Sequence, residues 1–284
     1  MVHMKKQMRK TSPGCVNREA CPQTKAFTLT ELLVVIASLA ILAATLLPAL
    51  AGVSQQKALA IGCLNNLKQL TLAAHIYAGD FQDAIPPNGI GAFSSWVAGD
   101  VYAIPDGTNV TLIEKAVLWN YTKSLATYRC PGDNDIMAGA TVPRVRNYSM
   151  NGMMGNNFGI IGVHDGIVEH KTFSSIRSPA PANATLFIDE QSSSSPSKTS
   201  IDDGYFAVDA YDTGPTWRNV PASRHGNFGQ MSFADGHVGY MKWVVPSTQT
   251  LQGLNANSGV SLNADIKQLW LSTYASGTVA GVPW

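Results

Sequence analysis

His225, Asp235 and His237, together with Asp189 and Glu190 at the end of the apolar run ATLFIDE, are residue types that hold a metal or move a proton once a fold gathers them. Each also has a plainer reading. Asp235 and Gly236 are the pair that a tight hairpin turn asks for, with φ > 0 at both central positions. His237 then follows as a cross-strand residue opposite Ala234, and His225 is left to hydrogen-bond the loop or hold an acid. A second run, CPGDND from Cys130 to Asp135, offers oxygens at Asp133, Asn134 and Asp135, hard donors of the kind calcium takes. It lacks the terminal Glu of an EF-hand loop, and an acid-rich turn held by Pro131 and Gly132 accounts for it as well. There is no Gly-rich phosphate loop, no G-x-S-x-G elbow and no HExxH pair, so no enzyme activity and no cofactor other than calcium is expected.

Several elements must position these residues. GQMSFADGHVGYMKWVV predicts a hairpin turning at Asp235 and Gly236, with Phe233 opposite Val238 and Met231 opposite Tyr240. ATLFIDE, from Ala184 to Glu190, reads as a buried strand, and LIEKAVLWNYT and ADIKQLWLSTYA read as short helices. The serine-rich run from Gln191 to Gly204 reads as a mobile surface loop, having little apolar content to hold it down. Leu59, Cys63, Leu67, Leu70, Ala74 and Tyr77 recur at steps of three and four, one face of an α-helix that Gly79 and Asp80 should stop. That face is expected to receive the apolar side of the hairpin.

Upstream, Ala26 to Val53 is apolar except for Glu31, and no further charge occurs until Lys57. Such a run exceeds the roughly 20 residues that cross a bilayer, which predicts a transmembrane helix. Thr28 and Thr30 stand where helix caps would be. Residues before Phe27 carry Lys5, Lys6, Arg9, Lys10, Arg18 and Lys25 against Glu19, a net +5 (6 − 1), which would keep them cytoplasmic. The remainder has 14 basic and 18 acidic residues, net −4, and nothing in this balance points to nucleic acid. Cys63 and Cys130 would then lie in an oxidising compartment, where they permit one disulfide; the alternative is two small buried hydrophobes.

The string Ala26, Phe27, Thr28, Leu29, Thr30, Glu31, followed by LLVVIASLAIL, resembles the processing signal of type IV pilins and type II secretion pseudopilins. The resemblance implies cleavage by a prepilin peptidase between Ala26 and Phe27, N-methylation of Phe27, an assembly role for Glu31 and a helix-loosening Pro48. The family usually has Gly where this chain has Ala26. His225, Asp235 and Gly236 also resemble an H-x9-DG region found at the C-terminal end of one group of prepilin-type proteins. The implied architecture is α+β: a leader at 1–26, a transmembrane helix half at 27–53, an amphipathic half at 54–79, and an α+β head at 80–284 built on an antiparallel sheet. The implied protein is a structural subunit of a pilus or pseudopilus, single-pass in the cytoplasmic membrane with an extracytoplasmic head. Its partners would be the prepilin peptidase, other pilin or pseudopilin subunits and an inner-membrane assembly platform. The rivals are a minor subunit whose head binds a partner or substrate, and a tethered hydrolase using His225, Asp235 and His237.

Overall fold

Helix α1, Leu29–Asp80, begins on a reciprocal cap. Thr28 Oγ1 accepts from the Glu31 N–H at 3.2 Å, and the Glu31 carboxylate accepts from the Thr28 N–H at 2.9 Å and its hydroxyl at 2.7 Å. This capping box satisfies donors that the first helical turn would leave unpaired. It also holds the Glu31 carboxyl below its ordinary range, the Thr28 backbone bond being the main cause. The computed structural model describes residues 27–155, 169–207, 216–260 and 263–273, with the side chains of 45–54 also outside the description. The leader, and with it the bond between Ala26 and Phe27, lies outside the described residues, as does the side chain of Pro48.

Met1–Leu50 and Ala51–Trp284 form separate units. Among the described residues no helix is long and apolar enough to cross a membrane. This overturns the expected transmembrane helix, and with it the single-pass placement in the cytoplasmic membrane with an extracytoplasmic head.

The second unit is organised by the periodicity of α1 beyond Gln55. Cys63, Leu67, Leu70 and Ala74 are fully buried and Tyr77 nearly so, because steps of three and four keep them on one face. The helix ends one residue past Gly79: the Asp83 N–H returns to Ala78 O at 2.8 Å, with Gln82 and Asp83 both at positive φ. Leu112–Thr122 does not form one helix. It divides into α2, Thr111–Glu114, and α3, Trp119–Thr122, because the Val117 N–H is drawn off to Ser95 O at 3.0 Å.

The sheet contains β1 (Tyr148–Asn151), β2 (Thr185–Asp189), β3 (Tyr205–Phe206), β5 (Phe228–Phe233) and β6 (Val238–Lys242), in the order β3-β1-β2-β5-β6. A separate pair joins β4 (Thr216–Trp217) to β7 (Ala256–Asn257). The five-stranded sheet is mixed: β1 runs antiparallel to β2 but parallel to β3. The expected transmembrane spine on an antiparallel head is therefore corrected to a mixed α/β fold. The long connection from β2 to β3, which lays a short strand along the far edge of β1, makes the parallel pairing possible.

Two apolar clusters result. One joins the α1 stripe to Trp96, Tyr128, Tyr148 and Phe187. The other gathers Met231, Met241 and Trp243 with Ile266, Leu269 and Trp270 of α4, Ala264–Leu271. The hairpin register differs from expectation by one residue. Met231 faces Gly239, and Tyr240 faces Gln230. Only Gly236 takes positive φ (+95°), the Gly236 N–H bonds to Phe233 O at 2.9 Å, and the Phe233 N–H bonds to His237 O at 3.0 Å. The loop is thus three residues, Ala234 to Gly236, closed by a glycine in the left-handed region. A slip of one residue turns side chains to the other face. Met231 therefore packs with α4, and Ala234 and Val238 are what reach the α1 cluster.

Candidate functional site

Four residues from distant parts of the chain converge at one end of β2. The Sγ atoms of Cys63 and Cys130, a carboxylate oxygen of Asp189 and a ring nitrogen of His225 all lie within 4.8 Å of one another. Cys63 comes from the buried stripe of α1, and Cys130 from the turn after Tyr128. Asp189 is the last residue of β2, and His225 sits just before β5. Cys63 Sγ lies 3.6 Å from Asp189 Oδ2, and Cys130 Sγ lies 3.1 Å from His225 Nε2. The Tyr148 hydroxyl is 3.2 Å from Cys63 Sγ.

A polar shell orients this group. Arg224 Nη1 donates to Asp189 Oδ1 at 2.5 Å, and Nη2 donates to Ser192 Oγ at 2.9 Å and Glu190 O at 3.2 Å. Asn147 Oδ1 accepts from the Cys130 N–H at 3.0 Å, fixing the loop that carries the thiol. Gly132 is needed here, because a Cβ would stand 2.6 Å from His225 Cε1. Burial pushes the Cys63 thiol well above its ordinary range, so it is protonated in the absence of another partner. Burial and then the Arg224 charge lower His225 to about 4, so its imidazole is neutral at pH 7 and offers a lone pair. Burial raises the Asp189 carboxyl, an effect that Arg224 opposes.

The remaining expected site residues fall elsewhere. Asp235 and His237 bond to each other at 2.6 Å on the exposed hairpin turn, and His237 stacks on Phe233 at 4.2 Å between ring centroids. Gly236 O accepts from Lys68 Nζ of α1, so the Asp-Gly turn is tied to the helix. The H-x9-DG spacing thus spans two separate jobs, His225 in the buried cluster and Asp235-Gly236 at the turn. Cys63 and Cys130 are brought together, each as a free thiol. In the CPGDND turn, Asp133 is buried and its carboxylate accepts from Asn147, from Ser192 Oγ at 2.7 Å and from the Asp135 N–H at 3.0 Å. These bonds engage the Asp133 carboxylate, whereas Asn134 and Asp135 are exposed.

Glu190 was grouped with Asp189 by its place at the strand end, but it serves another centre. It accepts from Ser149 Oγ at 2.5 Å and from Ser200 Oγ and Asn219 Nδ2 at 2.7 Å each. Ser200 belongs to the serine-rich run expected to be mobile. That run is instead held by polar bonds, with Thr199 Oγ1 accepting from Arg144 at 3.2 Å and from the Ser193 N–H at 2.7 Å. Arg224, Asn147 and Ser192 gave no signal in the sequence. A cysteine on the buried helical stripe and an acid closing a buried strand were the available hints that a thiol and a carboxylate share one interior.

Comparison with known proteins finds no family model, no curated protein and no solved structure that matches the chain. Together with the lack of a membrane-crossing helix among the described residues, this overturns the resemblance to type IV pilins and type II secretion pseudopilins. Two of the residues that carried it, Thr28 and Glu31, make the capping box that starts α1.

Proposed function

We propose that the chain is a structural subunit that associates with further copies of itself through the N-terminal segment of α1, and that the unit Ala51–Trp284 is the body it carries. The observation behind this reading is the exposure of that segment. Leu32, Leu33, Val34, Val35 and Ile36 are 55, 56, 66, 44 and 56 % exposed, and Leu39, Ile41 and Leu42 are more than half exposed. Five consecutive helical residues at about 100° each go fully round the helix, so the surface is apolar on every side. A flat partner would cover one side only. Identical apolar helices packed around one another cover the inward and lateral faces of each, more than a flat partner does, and burying this surface drives the association. Glu31, the one charge in the segment, has its carboxylate satisfied by Thr28 and so stays compatible with a bundle.

The test is the oligomeric state of the full chain by sedimentation velocity at micromolar concentration. Assemblies of several chains are expected, collapsing to monomers in Val34→Asp/Ile36→Asp while thermal unfolding of the body stays unchanged. A monomeric wild type, or assemblies that survive the double substitution, would refute the reading.

A further inference from the structure

The geometry points to a metal centre at Cys63, Cys130, Asp189 and His225, and we propose that it holds one zinc ion with both thiols, the imidazole Nε2 and Asp189 Oδ2 as its four ligands. Tetrahedral zinc with bonds of about 2.3 Å to sulfur and about 2.0–2.2 Å to nitrogen and oxygen places neighbouring ligand atoms about 3.4–3.8 Å apart. The separations of 3.1 Å and 3.6 Å, and the 4.8 Å limit for the whole group, require side-chain shifts of about 1 Å or less. Two sulfurs, one nitrogen and one oxygen are a donor set that suits zinc and disfavours calcium or magnesium. Four protein ligands leave no open position, which is the pattern of a structural site rather than a catalytic one.

The surroundings fit the ion in three further ways. Arg224 holds Asp189 Oδ1, leaving Oδ2 directed at the thiols, and so acts as the outer partner that orients a ligating carboxylate. Gly132 makes room for the imidazole, which is half-buried and gives the ion a way in. Among the four ligands and Arg224 the charges balance: two thiolates and one carboxylate (−3) offset zinc (+2) and Arg224 (+1). On binding, two S–H bonds break, two Zn–S bonds form and two protons leave to water, with no change in oxidation state. A Cys63–Cys130 disulfide would use the two sulfurs alone and give no role to the convergence of Asp189 and His225. The ion would join α1, the Cys130 turn, the end of β2 and the segment before β5.

The experiment uses the full chain, reduced and stripped of metal by a chelator, then titrated with Co2+ as a spectroscopic probe and back-titrated with Zn2+. A thiolate-to-cobalt charge-transfer band saturating at one ion per chain, abolished by stoichiometric zinc, is expected, together with a rise in Tm on adding zinc. Cys130→Ser and His225→Ala should each weaken zinc binding by at least about tenfold, since even loss of an outer partner costs about that much. If a variant fails to fold, the wild-type band still decides, because it requires sulfur bound to metal. Absence of the band in the reduced wild type would overturn the proposal. So would unchanged affinity in both folded variants, or an intact mass two hydrogens lighter in protein that binds no metal.

Discussion

Glu190 is fully buried, and three neutral donors, Ser149, Ser200 and Asn219, surround its carboxylate. Burial raises it from 4.5 to about 7, with the three hydrogen bonds pulling the other way. The folded state therefore binds this proton more tightly than the unfolded state. Stability falls as pH climbs from about 4.5 to about 7 and does not fall further on this account above that. Asp202, raised by burial to about 9, contributes with the same sign over a wider range. Glu190→Gln should flatten the 4.5–7 part of the slope and also reduce the Asp202 contribution, because the Glu190 charge helps to raise Asp202, as measured by urea unfolding at a series of pH values. An unaltered slope would show that Glu190 does not titrate there. Gln suits the test because its carbonyl can still accept from Ser200 and Asn219 while its amide donates to Ser149. From sequence, Asp189 and Glu190 were legible as acids closing a strand. Their separate duties were not, because alternation along a strand sends neighbours to different partners.

The β5–β6 hairpin was legible as an element, but its register was not. Asp-Gly between alternating runs allows a two-residue loop with both centres at positive φ, or a three-residue loop with only the glycine there. The longer loop is adopted, and Lys68 of α1 donates to Gly236 O. Gly236→Ala should lower stability by about 1–2 kcal/mol, the cost of a left-handed conformation for a residue with a Cβ. Gly236→Asn should cost less, and chemical denaturation of the two would separate strain from loss of space. The α1 stripe was legible from Cys63 to Tyr77, with Leu59 only partly buried, because its period needs no knowledge of the partner surface. Leu70 is completely buried there, and Leu70→Ala should cost about 2–5 kcal/mol in the same assay, depending on how far the site collapses.

For the whole molecule, association and folding belong to different stretches of one helix. Phe27 to Leu42 exposes its apolar side chains, whereas the stripe of Cys63, Leu67, Leu70, Ala74 and Tyr77 is buried within the body. Charged substitutions in the first stretch should therefore change the sedimentation of the chain and leave the body's Tm where it was. A substitution such as Leu70→Ala should do the reverse. A variant in the first stretch that lowered the body's Tm would show that the two functions are not separable.

Short-range chemistry is what the sequence by itself determined: the amphipathic period of α1, a cap at Thr28, the buried strand ending in acids, and a turn at Asp235-Gly236. Each depends on residues within a turn or two of one another, where spacing alone decides the geometry. The tertiary structure alone decided the parallel pairing of β1 with β3, the one-residue shift in the hairpin, the anchoring of the serine-rich run on Glu190 and Arg144, and the meeting of Cys63, Cys130, Asp189 and His225. The β1–β3 pairing, the Arg144 anchor and the four-residue cluster bring together residues that are dozens of positions apart. Chain order does not encode such proximity; it arises only when the helix stripe and the sheet bury a common core and carry the polar groups on their edges to the same place.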